Sequence, residues 1–249
     1  SKLSDQSAGL FNPAIGHLIS AWGFQRDEFN AVKIDDAKIR SLVNVNPKMR
    51  DIQINSNTIS SSNQAVKLDL GGYAKGYALD KAAEYLRQQG VKNALINIGG
   101  NIIALGQHGK KPWRVGIQHP RMPNAIATLD LKDGWAIGTS GDYQRYFMLD
   151  GKRYCHIIDP RTGYPVVHTQ SVTVLVPPQA SDKTQAGVLS DVASKPIFIA
   201  TAEQKASMAQ ALNIRHYMVI DSHAKIYVSA DLLKQLDWLT TDVQFTTLH

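Results

Sequence analysis

The sequence predicts an α+β protein, a mixed or antiparallel sheet flanked by helices, on two observations. Between residues 113 and 176 short runs rich in β-branched and apolar residues follow one another, with turn residues between them. On either side, apolar residues recur at helical spacing instead. In chain order, residues 15–22 read as a short helix introduced by Pro13 and residues 35–43 as a second. Residues 52–54 open a β region, and Ser56 to Ser62 is polar enough to be an exposed turn. Residues 65–70 read as a short apolar-rich strand, after which Ala78, Leu79, Ala82, Ala83 and Leu86 keep helical spacing until Gly90 stops them. A strand follows at 94–96. The strand-rich middle comprises 113–117, 126–131, 136–138, 145–148 before an Asp150-Gly151 hairpin turn, a strand ending in His156, and 171–176. Helices return at about 183–194, 202–211 and 230–236, while 217–220 and 226–228 pair around a polar turn. No linker or internal repeat divides the chain, so residues 1–249 are expected to form a single domain.

Composition excludes several classes of function. The chain is 249 residues long and 43% hydrophobic, enough for a substantial core. Its net charge of +6, from 27 basic and 21 acidic residues, is spread rather than gathered in a run with aromatic neighbours, which argues against nucleic acid. A mild positive field suits an anionic ligand equally well. One cysteine, Cys155, excludes an internal disulfide and a multi-thiolate metal site. No apolar run approaches the roughly 18 residues a membrane helix needs, and no signal peptide is recognisable at Ser1. The sequence therefore reads as the mature, soluble part of its protein.

The most informative stretch runs from Leu68 to Ala78, where a carboxylate, Asp69, paired glycines, Gly71 and Gly72, and Lys75 stand at the passage from strand to helix. Glycines let the backbone approach a ligand closely, and a helix N-terminus directs unpaired N–H groups and partial positive charge at it, which suits a phosphate. The spacing is neither GxGxxG nor a Walker loop, and such a junction by itself is more often plain chain reversal. Three further junctions follow: Asn97 to Asn101 with a second glycine pair, Gly138 to Tyr143 with small residues, and His156 to Pro165, a proline and glycine turn carrying Asp159 and Arg161. Four in one hundred residues point to one assembled site.

The blocks DLGGYAKGYALDKAAEYL (69–86), NALINIGGNI (93–102), GTSGDYQRYF (138–147) and YCHIIDPRTGYPV (154–166), in this order, resemble the ApbE family of FAD:protein FMN transferases, as does GLFNPAIGHLISAWGF (9–24) before them. The resemblance runs from residue 8 to about residue 230. It implies an enzyme that binds FAD as substrate, cleaves its diphosphate with the help of Mg2+, releases AMP and attaches FMN through a phosphoester to a serine or threonine of an acceptor flavoprotein. It implies a periplasmic or other extracytoplasmic place, with the full-length form tethered to the inner membrane by an N-terminal lipid. Family members carry a segment before residue 8 that touches the isoalloxazine ring, so the chain is expected to lack it and to bind FAD weakly.

The same resemblance assigns roles. Leu10, Phe11 and Asn12 of the first block, Asp69, Lys75 and Ile158 are expected at the flavin nucleotide. His156 is expected to activate or orient the acceptor hydroxyl, since an imidazole titrates near neutral pH; read alone it is a strand histidine. Lys75 read alone is as readily solvated surface. Asp159 and Arg161 read as a turn satisfying its own side chains, and Asp142 as a turn residue or a substrate contact. Among Phe11, Trp22, Tyr73, Tyr77, Tyr143 and Tyr146, most are core, and Tyr73 and Phe11 rank first as walls for the flavin ring.

The metal ligands are where the chain departs from its relatives. They are expected at the Gly72 carbonyl and at Asp191, Ser194 and position 195, because relatives place an aspartate and, four residues on, a threonine or serine on one helix face. Here that later position is Lys195. At an effective dielectric near 20 an ammonium a few ångströms from a divalent cation repels it by about several kcal/mol. Either Lys195 swings away, or its ammonium replaces a cation at the diphosphate. Asn12 and Asn101 also stand where acids are usual, and both can hydrogen-bond a nucleotide edge. The alternative functions are therefore a catalytically impaired flavin-binding protein on the same fold, or an FAD diphosphatase giving FMN and AMP.

Overall fold

The structure, a computed structural model, describes residues 1–26, 28–178, 185–240 and 243–248. In chain order its elements are α1 (Lys2–Gln6), α2 (Gly16–Ala21), α3 (Asp36–Val45), β1 (Ile52–Asn55), β2 (Thr58–Ser61), α4 (Ala74–Gln88), β3 (Ala94–Ile98), β4 (Asn101–Leu105), β5 (Trp113–Gln118), β6 (Ala125–Leu131) and β7 (Ala136–Gly141). They continue as β8 (Tyr146–Leu149), β9 (Lys152–Cys155), β10 (Thr169–Val176), α5 (Ala186–Ile199), α6 (Lys205–Ala211), β11 (His216–Asp221), β12 (Ile226–Ser229), α7 (Ala230–Leu233), β13 (Leu236–Trp238) and β14 (Phe245–Leu248). The chain divides into two compact units, Ser1–Leu70 with Asp142–His168, and Gly71–Gly141 with Thr169–His249.

The first unit is built around Trp22, which is 1% exposed and packs with Ile15, Leu18, Phe24, Ile39, Phe147 and Ile158. Its indole N–H donates to the Gly163 carbonyl at 2.7 Å, so the ring is buried without an orphaned donor. The helix α3 begins where Asp35 accepts the Lys38 N–H at 3.0 Å. Two expectations are corrected here. The stretch from Ser56 to Ser62 holds the second strand of the β1–β2 hairpin; it reads as a loop because its residues stay exposed, leaving no apolar alternation to see. Residues 65–70 form an extended segment instead of a strand, bound to the 13–16 backbone through Lys67 and Asp69 N–H and a lone bridge to Ile15. Leu68 and Leu70, which suggested burial, are 48% and 51% exposed. The Asp150-Gly151 turn joins β8 to β9 as expected, with φ of 49° and 72°.

The second unit carries a seven-stranded sheet in the order β14-β12-β11-β10-β7-β4-β3 and a three-stranded sheet, β13-β6-β5. Every neighbouring pair is antiparallel except β12 with β14, so the sheet is mixed and the α+β class holds. Apolar side chains of β5 and β6 meet those of β7, β10, β11 and β12 to form the core. Each residue of β10 is buried, which fits its valine-rich second half, residues 172–176. Three strands, β4, β13 and β14, escaped the sequence reading. Gly99 and Gly100, at φ of 58° and 89°, are the two-residue turn of the β3–β4 hairpin, and the small residues Gly138 to Gly141 continue β7 rather than forming a turn. They are small because α5 lies directly on them: a Cβ on Gly138 would sit 2.5 Å from the Ser190 carbonyl oxygen.

Residues 183 and 184 of the expected helix lie outside the described residues, Gln185 is the N-cap, and α5 covers the rest and runs on to Ile199. The helix expected at 202–211 is a 3-10 turn followed by α6, and that expected at 230–236 ends at Leu233 before β13. No helix among the described residues is long and apolar enough to cross a membrane.

Candidate functional site

In the second unit, α4 and α5 approach closely because two glycines face each other. A Cβ on Gly76 would lie 2.4 Å from the Gly187 carbonyl oxygen, and one on Gly187 would lie 2.7 Å from that of Gly76. The approach places Asp191, 1% exposed, at the first turn of α4, where its Oδ2 accepts the Gly76 N–H at 2.9 Å. Lys195, one turn further along α5, donates to Asp191 Oδ1 at 2.6 Å and to the Asp191 carbonyl at 2.7 Å. Every residue of α5 except Lys195 is buried. Ser194 donates to the Asp191 carbonyl at 2.8 Å, and its hydroxyl oxygen lies 2.7 Å from that of Ser140 on β7.

Burial alone would push the Asp191 carboxyl up. The Lys195 ammonium, the Gly76 N–H and the charge of Lys75 outweigh it and hold the group below its ordinary value. Lys75 lies over the β3–β4 turn, since a Cβ on Gly99 would be 3.5 Å from its Cδ. The Lys195 ammonium is drawn in to Asp191.

Asp191, Ser194 and Lys195 do not fit a magnesium ion as they stand. Both Asp191 carboxylate oxygens already have partners, the Ser194 hydroxyl is held between two oxygens, and Lys195 is a cation, which leaves only the Gly72 carbonyl of the expected ligands. Among the described residues no three His, Cys, Asp or Glu side chains are grouped to hold a metal ion.

The other candidates belong to the first unit. Leu10 and Phe11 are 5% and 8% exposed, and the Phe11 N–H donates to the Ser7 hydroxyl at 3.0 Å. Asn12 donates to the Pro47 carbonyl at 2.8 Å and accepts the Ala14 N–H at 3.0 Å, and the Asp69 N–H reaches Pro13 at 2.8 Å. The Asn12 block and Asp69, far apart in sequence, are thus neighbours. His156 follows β9 directly, is half-buried, and its Nδ1 lies 3.2 Å from the Arg145 carbonyl oxygen. Ile158 is 3% exposed and belongs to the Trp22 core. Arg161 grips Asp159 with Nε and Nη2, the nearest contact 2.8 Å, so that turn does satisfy itself. Asp142 is 3.6 Å from the Arg153 guanidinium. Among the aromatics, Trp22 is core, Tyr146 lies under Arg153, and Tyr73 stacks on the half-exposed Tyr77 in the second unit.

Sequence reasoning missed Asp80. It is 3% exposed on α4 and accepts the Gly187 and Val188 N–H groups at 2.8 and 2.7 Å, capping α5. Burial raises its carboxyl above the ordinary value against the pull of those donors. The signal for it was an acid at a position of the apolar stripe next to Leu79 and Ala83.

The chain matches the model of the ApbE family over residues 1–218 and belongs to that family. It is 40% identical over 235 residues to the FAD:protein FMN transferase of Rhodobacter capsulatus, covering 94% of this chain and 43% of that protein. A protein of the same name from Haemophilus influenzae is 30% identical, with 88% of this chain and 63% of the relative covered. The chain thus spans less than two thirds of these relatives' length. Among solved structures, the ApbE protein of Thermotoga maritima superposes with a TM-score of 0.82 at 29% identity, covering 94% of this chain and 74% of that one. The flavin transferase ApbE of Vibrio cholerae gives 0.77 at 29% identity, covering 94% and 73%.

Proposed function

We propose that the protein is an FAD:protein FMN transferase. Chemically, the hydroxyl oxygen of an acceptor serine or threonine bonds to the FMN phosphorus, the bond from that phosphorus to the bridging oxygen breaks, and AMP leaves with the bridging oxygen. The observation that carries the reading is the cluster at the start of α4, where Gly76, Asp191, Ser194 and Lys195 meet with the charge of Lys75 nearby. Cations and a helix N-terminus at one place suit a diphosphate. Relatives carrying that enzyme name over most of this chain support the choice of reaction.

Lys75 binds the diphosphate, and Leu10, Phe11, Asn12, Asp69 and Ile158 serve the rest of the flavin nucleotide. His156 takes the proton from the acceptor hydroxyl or orients it. Magnesium, expected from the resemblance, finds no fitting place in the Asp191 cluster, so no step is assigned to it. The partner is a flavoprotein with a serine or threonine acceptor sequence, and the place is extracytoplasmic, periplasmic with a lipid tether in the full-length form; family resemblance supports both. A second reading, a flavin-binding protein that does not turn over, is favoured by the Asp191–Lys195 ion pair alone. Incubation with FAD and an acceptor protein, followed by in-gel fluorescence, separates them. A fluorescent acceptor band supports transfer, free FMN without it supports a diphosphatase, and unchanged bound FAD supports the binder.

A further inference from the structure

The Asp191 cluster carries one step more, which rests on FAD being the substrate. Lys195 is anchored on Asp191 by two of its three N–H donors, and its side chain keeps 17% of its surface exposed, so the third donor is within reach of a ligand. Its ammonium stands against the carboxylate oxygen that a divalent cation would need.

A second observation comes from the start of β4. Asn101 is 1% exposed, and its Nδ2 has no hydrogen-bond partner among the described residues. Ile102 of β4 pairs with Ile137 of β7, so Asn101 continues the register opposite Gly138, on the same face of the sheet. That face is where α5 descends: a Cβ on Gly138 would lie 2.5 Å from the Ser190 carbonyl oxygen and 3.1 Å from the Asp191 nitrogen. A buried amide donor left unmatched is costly, and a ligand oxygen would supply its missing acceptor. Lys75 closes the same corner by lying over Gly99 in the turn that leads to Asn101.

We propose that this chain binds the FAD diphosphate without a divalent metal. The Lys195 ammonium, moored on Asp191, takes the place of the cation, and Lys75 and the Asn101 amide donate to the same phosphates. With Asp191 and Lys195 cancelling each other, the cluster offers the dianionic diphosphate one net positive charge and a set of N–H donors.

The test is titration of FAD into the metal-stripped protein in EDTA and again in magnesium chloride, with manganese substituted for magnesium in parallel and followed by electron paramagnetic resonance. The expected affinities agree within about twofold, and no manganese is immobilised by the protein–FAD complex. Lys195→Met weakens FAD binding in EDTA by about tenfold or more, Lys195→Arg keeps most of it, and Asn101→Ala weakens it severalfold. Lys195→Thr makes binding tighten on addition of magnesium. Tenfold tighter binding by the parent protein with magnesium, or unchanged binding by a folded Lys195→Met variant, overturns the inference and leaves the transferase reading standing. No FAD binding under either condition overturns both. Should Lys195→Met fail to fold, the EDTA and magnesium comparison on the parent protein decides alone.

Discussion

Asp80 and Asp191 cap each other's helices: Asp80 on α4 accepts the Gly187 and Val188 N–H groups that open α5, and Asp191 on α5 accepts the Gly76 N–H at the opening of α4. The reciprocal arrangement fixes the two helices in register over the sheet, and it sets the carboxylate of Asp191 where Lys195 can reach it. Asp80 does no chemistry in this account, yet the site depends on it.

Replacing Asp80 by alanine leaves two N–H groups at the start of a buried helix without acceptors. The expected loss of stability is about 2–3 kcal/mol, read from urea unfolding, with a smaller loss for Asp80→Asn, which keeps one acceptor. A loss below about 0.5 kcal/mol contradicts the reciprocal cap.

Lys205 is buried against the C-terminal end of α5, where its ammonium donates to the Ile197 and Phe198 carbonyls at 2.9 and 3.3 Å and to Thr169 Oγ1 at 3.0 Å. Burial lowers it from 10.5 to about 8, partly opposed by Asp221. Between those two values the unfolded chain holds a proton there that the folded chain has shed, so this residue makes stability rise with pH across that window. The contribution has a slope of at most about 1.4 kcal/mol per pH unit. Stability measured from pH 8 to 10.5 in the parent and in Lys205→Met should differ by that rising component. Parallel curves contradict the assignment.

Cys155 is 1% exposed, and burial pushes its thiol up to about 12. The native protein is expected to resist a thiol-directed reagent at neutral pH and to react fully once unfolded. Rapid labelling of the native protein contradicts this.

His156→Ala should retain FAD affinity while lowering FMN transfer to an acceptor by about a hundredfold or more, the range for loss of a proton acceptor. A parent rate with normal FAD binding removes His156 from the reaction.

Helices and long strands were legible because their periodicity records burial: Leu79 and Ala83 face inward four residues apart, and residues 172–176 of β10 are rich in valine because both faces of the strand are covered. The short strands β2, β13 and β14 were not legible, since an exposed or edge strand carries too little apolar alternation to stand out. Residues 65–70 misled in the opposite sense, with Leu68 and Leu70 apolar but exposed. Within the candidate site, the spacing of Asp191 and Lys195 put both on one helix face, but their pairing was not foreseen. That the ammonium turns inward to the carboxylate, and that Asn101 is buried with a donor unmatched, depend on how α5 lies over β4 and β7, which one-dimensional spacing does not record.

The most direct test of the transferase reading is intact mass spectrometry of an acceptor protein after incubation with this protein and FAD, with AMP measured in the same reaction. Transfer leaves the acceptor heavier by one FMN less water at its serine or threonine, with one AMP formed for each modified acceptor. FAD consumed with the acceptor unmodified, or FAD recovered intact from the protein, contradicts it.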